Sequence, residues 1–420
     1  MIFSFNQHVE LVKGKKKSLI VNISNKSYMV ISKKFYKILK KCKDGKKIEK
    51  ITNNFNYLQK LLFILEQNDY GKFLEREAKT IVKKISLRPQ KSQLDMIWLP
   101  ITENCNYKCV HCYENAKLSI KKTKQIGIKD YKIFFDKIDK KFSINCVQIT
   151  GGEPLLRGYE FLESLLRLLK TYNISTIEVF SNLSLLDETF VYLFKKYDVK
   201  IATSFYSCNP DIHDSITNVK GSQMTTLKKL DILKENNISF RIAIVLLKQN
   251  KMEKDSLRNW LNLRYNLHDV KKYDIIRPIG RGNNIENVPI ELFNEQYKDS
   301  IKHIPHFAYN FFYNNQIYNS CWGNKVCLKS NGKIYPCVMA KICLGNFKNI
   351  IKILNNKNSY RYLSKDKINT CKICEFRYLC MECRAMYAIS KKQLKNKPYL
   401  CSYNPHKAIF IKENNNDKIK

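Results

Sequence analysis

Cysteine placement constrains this chain more than any other feature. Of its fifteen cysteines, eleven stand at ligand-like spacings in two dense groups with nearly cysteine-free sequence between them. The first group is Cys105-Asn-Tyr-Lys-Cys109-Val-His-Cys112, a C-x3-C-x2-C run. The second is Cys321-x5-Cys327, then Gly332-x4-Cys337, then Cys371-x2-Cys374-x5-Cys380-x2-Cys383, and finally Cys401. The start of the chain, Met1 to Lys17, has no apolar h-region before its lysines. Apolar runs such as Ile242 to Leu247 fall far short of the roughly 18–20 residues that span a bilayer. The expectation is a cytoplasmic protein with no membrane partner, in a compartment that keeps thiols reduced. Metal binding or catalysis is then the use for so many sulfurs, and a disulfide scaffold is not.

Three thiolates in the first group leave one coordination position open. On a [4Fe–4S] cubane that is one iron with no protein ligand, where a small molecule can coordinate. Zinc is the other reading, and its fourth ligand would have to be His111 inside the motif. Four cysteines lie outside the eleven. Cys42 and Cys146 fall in helix and strand patterns and read as small buried apolar residues. Cys208 and Cys343 are candidates for a substrate-handling thiol, beside ordinary structural roles. Lysine and arginine exceed the acids by 38. The excess is mostly lysine spread along the whole chain, which favours solvated surface over a nucleic-acid-binding stripe and leaves room for a basic groove that takes an acidic partner such as a peptide.

A length of 420 residues predicts two to four domains at about 100–200 residues each. Residues 1–95 read as a small winged-helix-like unit, with strands Ser18 to Ile23 and Tyr28 to Ile31. Helices follow, with apolar faces at Phe35, Ile38 and Leu39 and at Leu58, Leu61, Leu62, Ile64 and Leu65. Such a unit binds DNA or offers a strand edge to an extended peptide. Residues 96–278 alternate strands with helical stretches. The strands are Met96 to Thr102, Cys146 to Thr150, Thr176 to Phe180, Lys200 to Phe205, Phe240 to Leu247 and Tyr273 to Arg277. Six such repeats predict an α/β fold: a parallel sheet covered by helices, as an open sheet or partial barrel, with chemistry at the C-terminal strand ends. Residues 279–320 bridge to a cysteine-rich segment, 321–405, that has little periodicity and is expected to need metal to fold. Residues 406–420 read as a frayed polar tail.

The first cysteine run, followed by Thr150-Gly151-Gly152-Glu153-Pro154 at the end of the second strand, resembles the radical S-adenosylmethionine (SAM) superfamily. The resemblance implies a partial (β/α)6 TIM-like barrel, a catalytic [4Fe–4S] cluster on Cys105, Cys109 and Cys112, and SAM chelating the free iron. Gly151 and Gly152 would bring backbone close to that ligand, and Glu153 would help hold the SAM amino group. Asn182 and Ser204, at the ends of the third and fourth strands, match positions that contact SAM in relatives. The family often carries an Arg after a His-Asp pair. Here His213-Asp214 is followed by Thr217 at that offset, which leaves the SAM carboxylate without an assigned partner. The second group resembles the SPASM extension, which carries two auxiliary [4Fe–4S] clusters and would bring the total to three. By that resemblance Cys321, Cys327, Cys337 and Cys383 would hold one, and Cys371, Cys374, Cys380 and Cys401 the other. The common pattern has three residues where only Met381 and Glu382 separate Cys380 from Cys383. Twin zinc sites are the other reading of these spacings.

The chemistry implied is reductive cleavage of SAM to a 5′-deoxyadenosyl radical that abstracts a substrate hydrogen, with electrons from a donor such as flavodoxin or ferredoxin. Auxiliary clusters suit a net oxidation. Strands and helices ahead of such a core resemble the peptide-recognition element of enzymes that mature ribosomally made precursor peptides (RiPPs). The expectation is a radical SAM oxidoreductase that modifies a precursor peptide by intrapeptide thioether formation or another crosslink. Peptide epimerisation, with Cys208 or Cys343 as hydrogen donor, is an alternative. Formylglycine formation is a second, although relatives with that activity usually have Asp directly after the cysteine aligned with Cys337, where Val338 stands. From another class, a zinc-containing nucleic-acid-binding protein leaves Gly151 to Pro154 and the six strand–helix units unexplained.

Overall fold

A computed structural model describes residues 1–52, 54–74, 93–118, 125–267, 273–293, 295, 308–386, 391–398 and 401–411. Near the N-terminus, β-branched and aromatic residues form β1 (Ile2–Phe5), β2 (Val9–Lys13), β3 (Lys17–Asn22) and β4 (Ser27–Ser32). Helices α1 (Lys33–Lys43) and α2 (Phe55–Gln67) and strand β5 (Gly71–Leu74) follow. Ser32 and Asn54 open the two helices by accepting from the amides of Phe35 and Tyr57. Strands β2, β3 and β4 make one antiparallel sheet, and β1 pairs with β5. Strands β1, β2 and β5 go beyond the expected pattern. Alternation along β3 sends Ile20 onto Leu39, Leu58 and Leu62 of the helices. It sends Leu19 and Val21 the other way, onto Phe312, Phe376 and Tyr403 of the C-terminal part. The sheet is therefore buried on both faces. Among the described residues β4 pairs only with β3, so its outer edge has no partner strand there.

The next stretch runs β6 (Gln93–Leu94), β7 (Met96–Thr102), α3 (Ile128–Asp139), β8 (Ser143–Gly151), α4 (Tyr159–Leu169), β9 (Ile174–Phe180), α5 (Glu188–Lys196) and β10 (Lys200–Phe205). It continues with α6 (Pro210–Thr217), α7 (Ser222–Glu235), β11 (Phe240–Leu246), α8 (Lys254–Tyr265) and β12 (Tyr273–Ile275). Strands β7 to β12 neighbour one another in chain order and are all parallel, the α/β arrangement the alternation predicts. Strand β12 stops two residues short of the expectation because Arg277 precedes Pro278, and the residue before a proline is restricted while proline itself donates no ladder bond. Side chains such as Ile97, Leu99, Ile149, Val179, Ile201 and Ile244 are at most 1% exposed, and each contributes roughly 1.5–3 kcal/mol by burial.

The C-terminal part supplies α9 (Ala308–Ile317), β13 (Lys325–Leu328), β14 (Lys333–Tyr335), β15 (Gly345–Asn346), α10 (Ile350–Asn355), β16 (Tyr403–Asn404) and β17 (Ile409–Phe410). The cysteine-rich segment, whose sequence shows little periodicity, nevertheless contributes strands to the main sheet. Strand β13 pairs in parallel with β7, Cys327 opposite Trp98, and β14 and β15 extend the same sheet. Its apolar Val326, Cys327 and Leu328 are fully buried and complete an edge that β7 would otherwise expose. The described part of the expected frayed tail is ordered. Residues through Ile411 are held by the β16–β17 hairpin, where Phe410 packs on Tyr403 with ring centroids 5.0 Å apart, and residues 412–420 lie outside the described residues. No helix among the described residues is long and apolar enough to cross a membrane.

Candidate active site

The first cysteine loop leaves the C-terminal end of β7 and is met there by the ends of β8, β9, β10 and β12. The two glycines decide how close β8 comes. Gly151 has φ +138°, and a Cβ there would lie 2.3 Å from the Thr102 carbonyl oxygen; on Gly152 it would lie 2.0 Å from that of Asn104. Their lack of side chains lets the amides of Gly152 and Glu153 donate to the carbonyls of Thr102 and Asn104 at 2.9 and 2.8 Å. The close approach is thus to the cysteine loop's own backbone.

Glu153 is fully buried. Its Oε1 accepts from the Leu155 amide at 3.0 Å and the Ser181 hydroxyl at 2.7 Å, and Oε2 from the Asn182 amide at 2.8 Å. Burial pushes its pKa up to about 7 against the opposing pull of those three donors. The carboxylate therefore ties the end of β8 to the end of β9. Asn182 Nδ2 donates to Asn106 Oδ1 at 3.0 Å and lies 4.0 Å from Cys105 Sγ, while its Oδ1 accepts from the Ser184 amide. Ser204 hydrogen-bonds Tyr206, whose hydroxyl lies 3.3 Å from His111 Nε2. Desolvation pushes the His111 pKa down to about 4, so the imidazole is neutral, and its Nδ1 has no partner. Burial first raises the Cys105 thiol to about 11 and the Cys109 thiol to about 12; the proximity of Glu153 and Cys112 adds to the first, and that of Cys105 and Cys112 to the second.

Sequence reasoning missed Arg281. Its Nε donates to the Cys109 carbonyl at 2.8 Å, its Nη1 to that of Ala116 at 2.5 Å, and its amide to that of Cys112 at 2.9 Å. Gly280, at φ +64°, lets this segment pass over the loop, since a Cβ there would lie 2.3 Å from the Cys112 oxygen. The Nη2 of Arg281 is buried without a partner. At the offset where relatives carry Arg, Thr217 instead bonds Ser222 at 2.6 Å, and Asp214 caps α7 through the Gln223 amide at 2.9 Å. Replacing Arg281 with Ala removes two charge-assisted bonds to carbonyls. The expected cost is about 2–3 kcal/mol, measured as a lower denaturant midpoint at unchanged m-value.

The other eight cysteines fall into two neighbourhoods. Burial and the proximity of Cys321 and Cys383 push Cys337 up to about 12, and Cys327 is raised by burial and by Cys337 among others. The two-residue spacer therefore still delivers Cys383 to the side of Cys321 and Cys337. Cys371, Cys374, Cys380 and Cys401 line one pocket. Among the described residues no three His, Cys, Asp or Glu side chains close into a single-ion site. At a Zn–S distance of about 2.3 Å, zinc would draw the thiolates almost into contact; a four-iron cubane holds them farther apart. Cys42 is buried as expected, Cys146 is only partly buried, and Cys343 is exposed. Cys208 follows β10, and its thiol is pushed up to about 11 by burial and by Glu253.

Residues 99–261 match the family model "Radical SAM superfamily". This core is a radical SAM domain. The chain is 24% identical over 343 residues to the AdoMet-dependent heme synthase of Methanosarcina barkeri, covering 73% of this chain and 96% of that protein. It is also 24% identical over 392 residues to the radical SAM cyclopropyl synthase TigE of Paramaledivibacter caminithermalis, covering 82% of this chain and 81% of that one. Among solved structures, Streptococcus suis SuiB bound to precursor peptide SuiA superposes with a TM-score of 0.55 at 16% identity, covering 95% of this chain and all of that one. The chain is an enzyme that carries a radical SAM domain over residues 99–261, and that domain places Cys105, Cys109 and Cys112 on the rim formed by the C-terminal strand ends.

Proposed function

We propose that this radical SAM enzyme carries three [4Fe–4S] clusters and modifies a ribosomally made precursor peptide. The observation that carries the reading is the sorting of eleven cysteines into neighbourhoods of three, four and four, with the incomplete one on the rim of the parallel strands. When bound there, a reduced cluster with SAM on its open iron supplies a deoxyadenosyl radical. Cys105, Cys109 and Cys112 would hold the cluster. The rim residues Glu153, Asn182 and Ser204 would line the place for SAM, and the unpartnered Nη2 of Arg281 is a candidate partner for its carboxylate. The burial of Glu153 and Tyr206 keeps the interior of that rim dry, which protects a radical from stray hydrogen donors.

The relatives differ in chemistry, so the substrate class rests on the N-terminal sheet. Strand β4 offers an edge that an extended leader can extend by main-chain hydrogen bonds, and the SuiB structure, with its precursor peptide, covers this part of the chain as well. Intrapeptide thioether formation, with loss of two hydrogens from the peptide, is the product proposed first. Epimerisation is favoured by one observation, the half-buried Cys208 that stays a thiol and hence a hydrogen donor. The electron donor is a small reductant such as flavodoxin or ferredoxin, and the setting is cytoplasmic. Protein reconstituted without oxygen is expected to hold about twelve irons with matching sulfide and to release 5′-deoxyadenosine from SAM under reduction. A short peptide encoded beside the gene should lose two hydrogens in that mixture. Zinc in place of iron, or iron with no SAM cleavage, overturns the reading.

A further inference from the structure

Between the two auxiliary cysteine groups lies a buried charge network that the proposed function does not use. Lys365 is 2% exposed and Arg384 0%. Lys365 Nζ lies 3.3 Å from Glu382 Oε1 and donates to the Cys380 carbonyl at 3.3 Å and to Ser320 Oγ at 3.2 Å. Arg384 donates to the same Oε1 from Nη2 at 2.5 Å and from Nε at 3.1 Å, and its Nη1 reaches the Asn396 carbonyl at 2.8 Å. Glu382 Oε2 is buried with no hydrogen-bond partner. Glu382 is one of the two residues separating Cys380 from Cys383, so the network sits where the chain crosses from one cysteine neighbourhood to the other.

Taking three ions out of water is costly, and such networks are often no more stabilising than apolar residues of the same volume. Stability is therefore a weak reason for this one. Its charge does not cancel either, since two cations face one carboxylate. The surplus points in a definite direction: Lys365 lines the same pocket as Cys371, Cys374, Cys380 and Cys401. It also lowers the thiol pKa of Cys371 and Cys380 against burial, which raises both. A [4Fe–4S] core with four thiolates is an anion in both common oxidation states and gains one negative charge on reduction. A fixed cation in the wall of a low-dielectric pocket favours the reduced form, because potential follows net charge and burial.

We propose that Lys365 is the buried counter-cation of a [4Fe–4S] cluster on Cys371, Cys374, Cys380 and Cys401 and raises its reduction potential, with Glu382 and Arg384 as positioning residues that hold the ammonium in the pocket wall. The inference rests on the three-cluster reading above.

The test uses the full chain, reconstituted anaerobically, with Cys105, Cys109 and Cys112 replaced by Ala so that only auxiliary clusters contribute to the electron paramagnetic resonance signal. Redox titrations compare Lys365 with Lys365→Met and Lys365→Arg, and the other auxiliary cluster serves as internal reference. The expected result is a signal that shifts to lower potential in Lys365→Met and stays near its original potential in Lys365→Arg. An unshifted Lys365→Met with full iron content overturns the inference, and so does an Arg variant that shifts as far as the Met variant. If Lys365→Met loses about a third of the iron held by the intact protein, iron retention decides. Retention by Lys365→Arg supports the charge argument, and equal loss overturns it. A Cys-intact protein that binds no iron removes the three-cluster reading and this inference together; the titration outcomes remove the inference alone.

Discussion

Replacing Cys109 with Ala is expected to abolish 5′-deoxyadenosine formation and to lower iron content from about twelve to about eight per chain. Cys109 is the middle sulfur of the rim triad, and its thiol is raised by burial first and then by the proximity of Cys105 and Cys112. Two remaining thiolates cannot anchor a cubane whose fourth iron must stay open for a ligand. The fold itself should persist, because the core strands bury Ile97, Leu99, Val147 and Ile149 without help from that loop. Circular dichroism and the auxiliary-cluster absorption should therefore match the unsubstituted protein. A variant that still cleaves SAM at a comparable rate would sink the assignment of the triad.

The second large effect is expected from Gly152→Ala. A Cβ at this position would meet the Asn104 oxygen at 2.0 Å, the Asn104 carbonyl carbon at 2.4 Å and the Cys105 nitrogen at 3.0 Å. All three are backbone atoms, so no side chain can swing away to make room. Either the end of β8 or the cysteine loop must move, at about 1–3 kcal/mol for the overpacking. The two amide–carbonyl bonds that join Gly152 and Glu153 to the loop would weaken as well, at about 1 kcal/mol each. Gly127→Ala is the control for crowding, because nothing lies within 4 Å of a Cβ there; as the N-cap of α3 it should cost about 0.5–1 kcal/mol. The expected readout is a more depressed melting temperature together with loss of the SAM-cleaving cluster in Gly152→Ala, with the cluster retained in Gly127→Ala. Equal behaviour of the two variants would show that the close approach does not matter.

The parts legible from sequence were those with a short-range signature. Strands β7 and β10 lie where their β-branched runs predict, and the Gly151-Gly152-Glu153 turn stands at the end of β8, because period and turn chemistry are local properties. The three cysteine neighbourhoods were also readable, since metal-ligand spacing survives even where periodicity fails. What escaped was long-range. Arg281 sits 172 residues from Cys109, whose carbonyl it binds, and an isolated Arg in a Gly-rich stretch carries no motif. The pairing of β13 with β7 and the placing of Lys365 in the pocket wall depend on three-dimensional closure in the same way. Strands β1, β2 and β5 escaped for a different reason: four or five residues are too few for alternation to stand out.

The parallel pairing of β13 with β7 also sets a clock on biosynthesis. Met96 lies opposite Lys325, so β7 leaves the ribosome some 230 residues ahead of the strand that covers its edge. At about 5–20 residues per second, the nascent chain carries that bare apolar edge for about 10–45 s. A stalled or truncated message ending in this interval would release a chain with an open sheet edge, ready to pair with another copy of itself. Yield of intact protein should therefore depend on translation speed across residues 103–325.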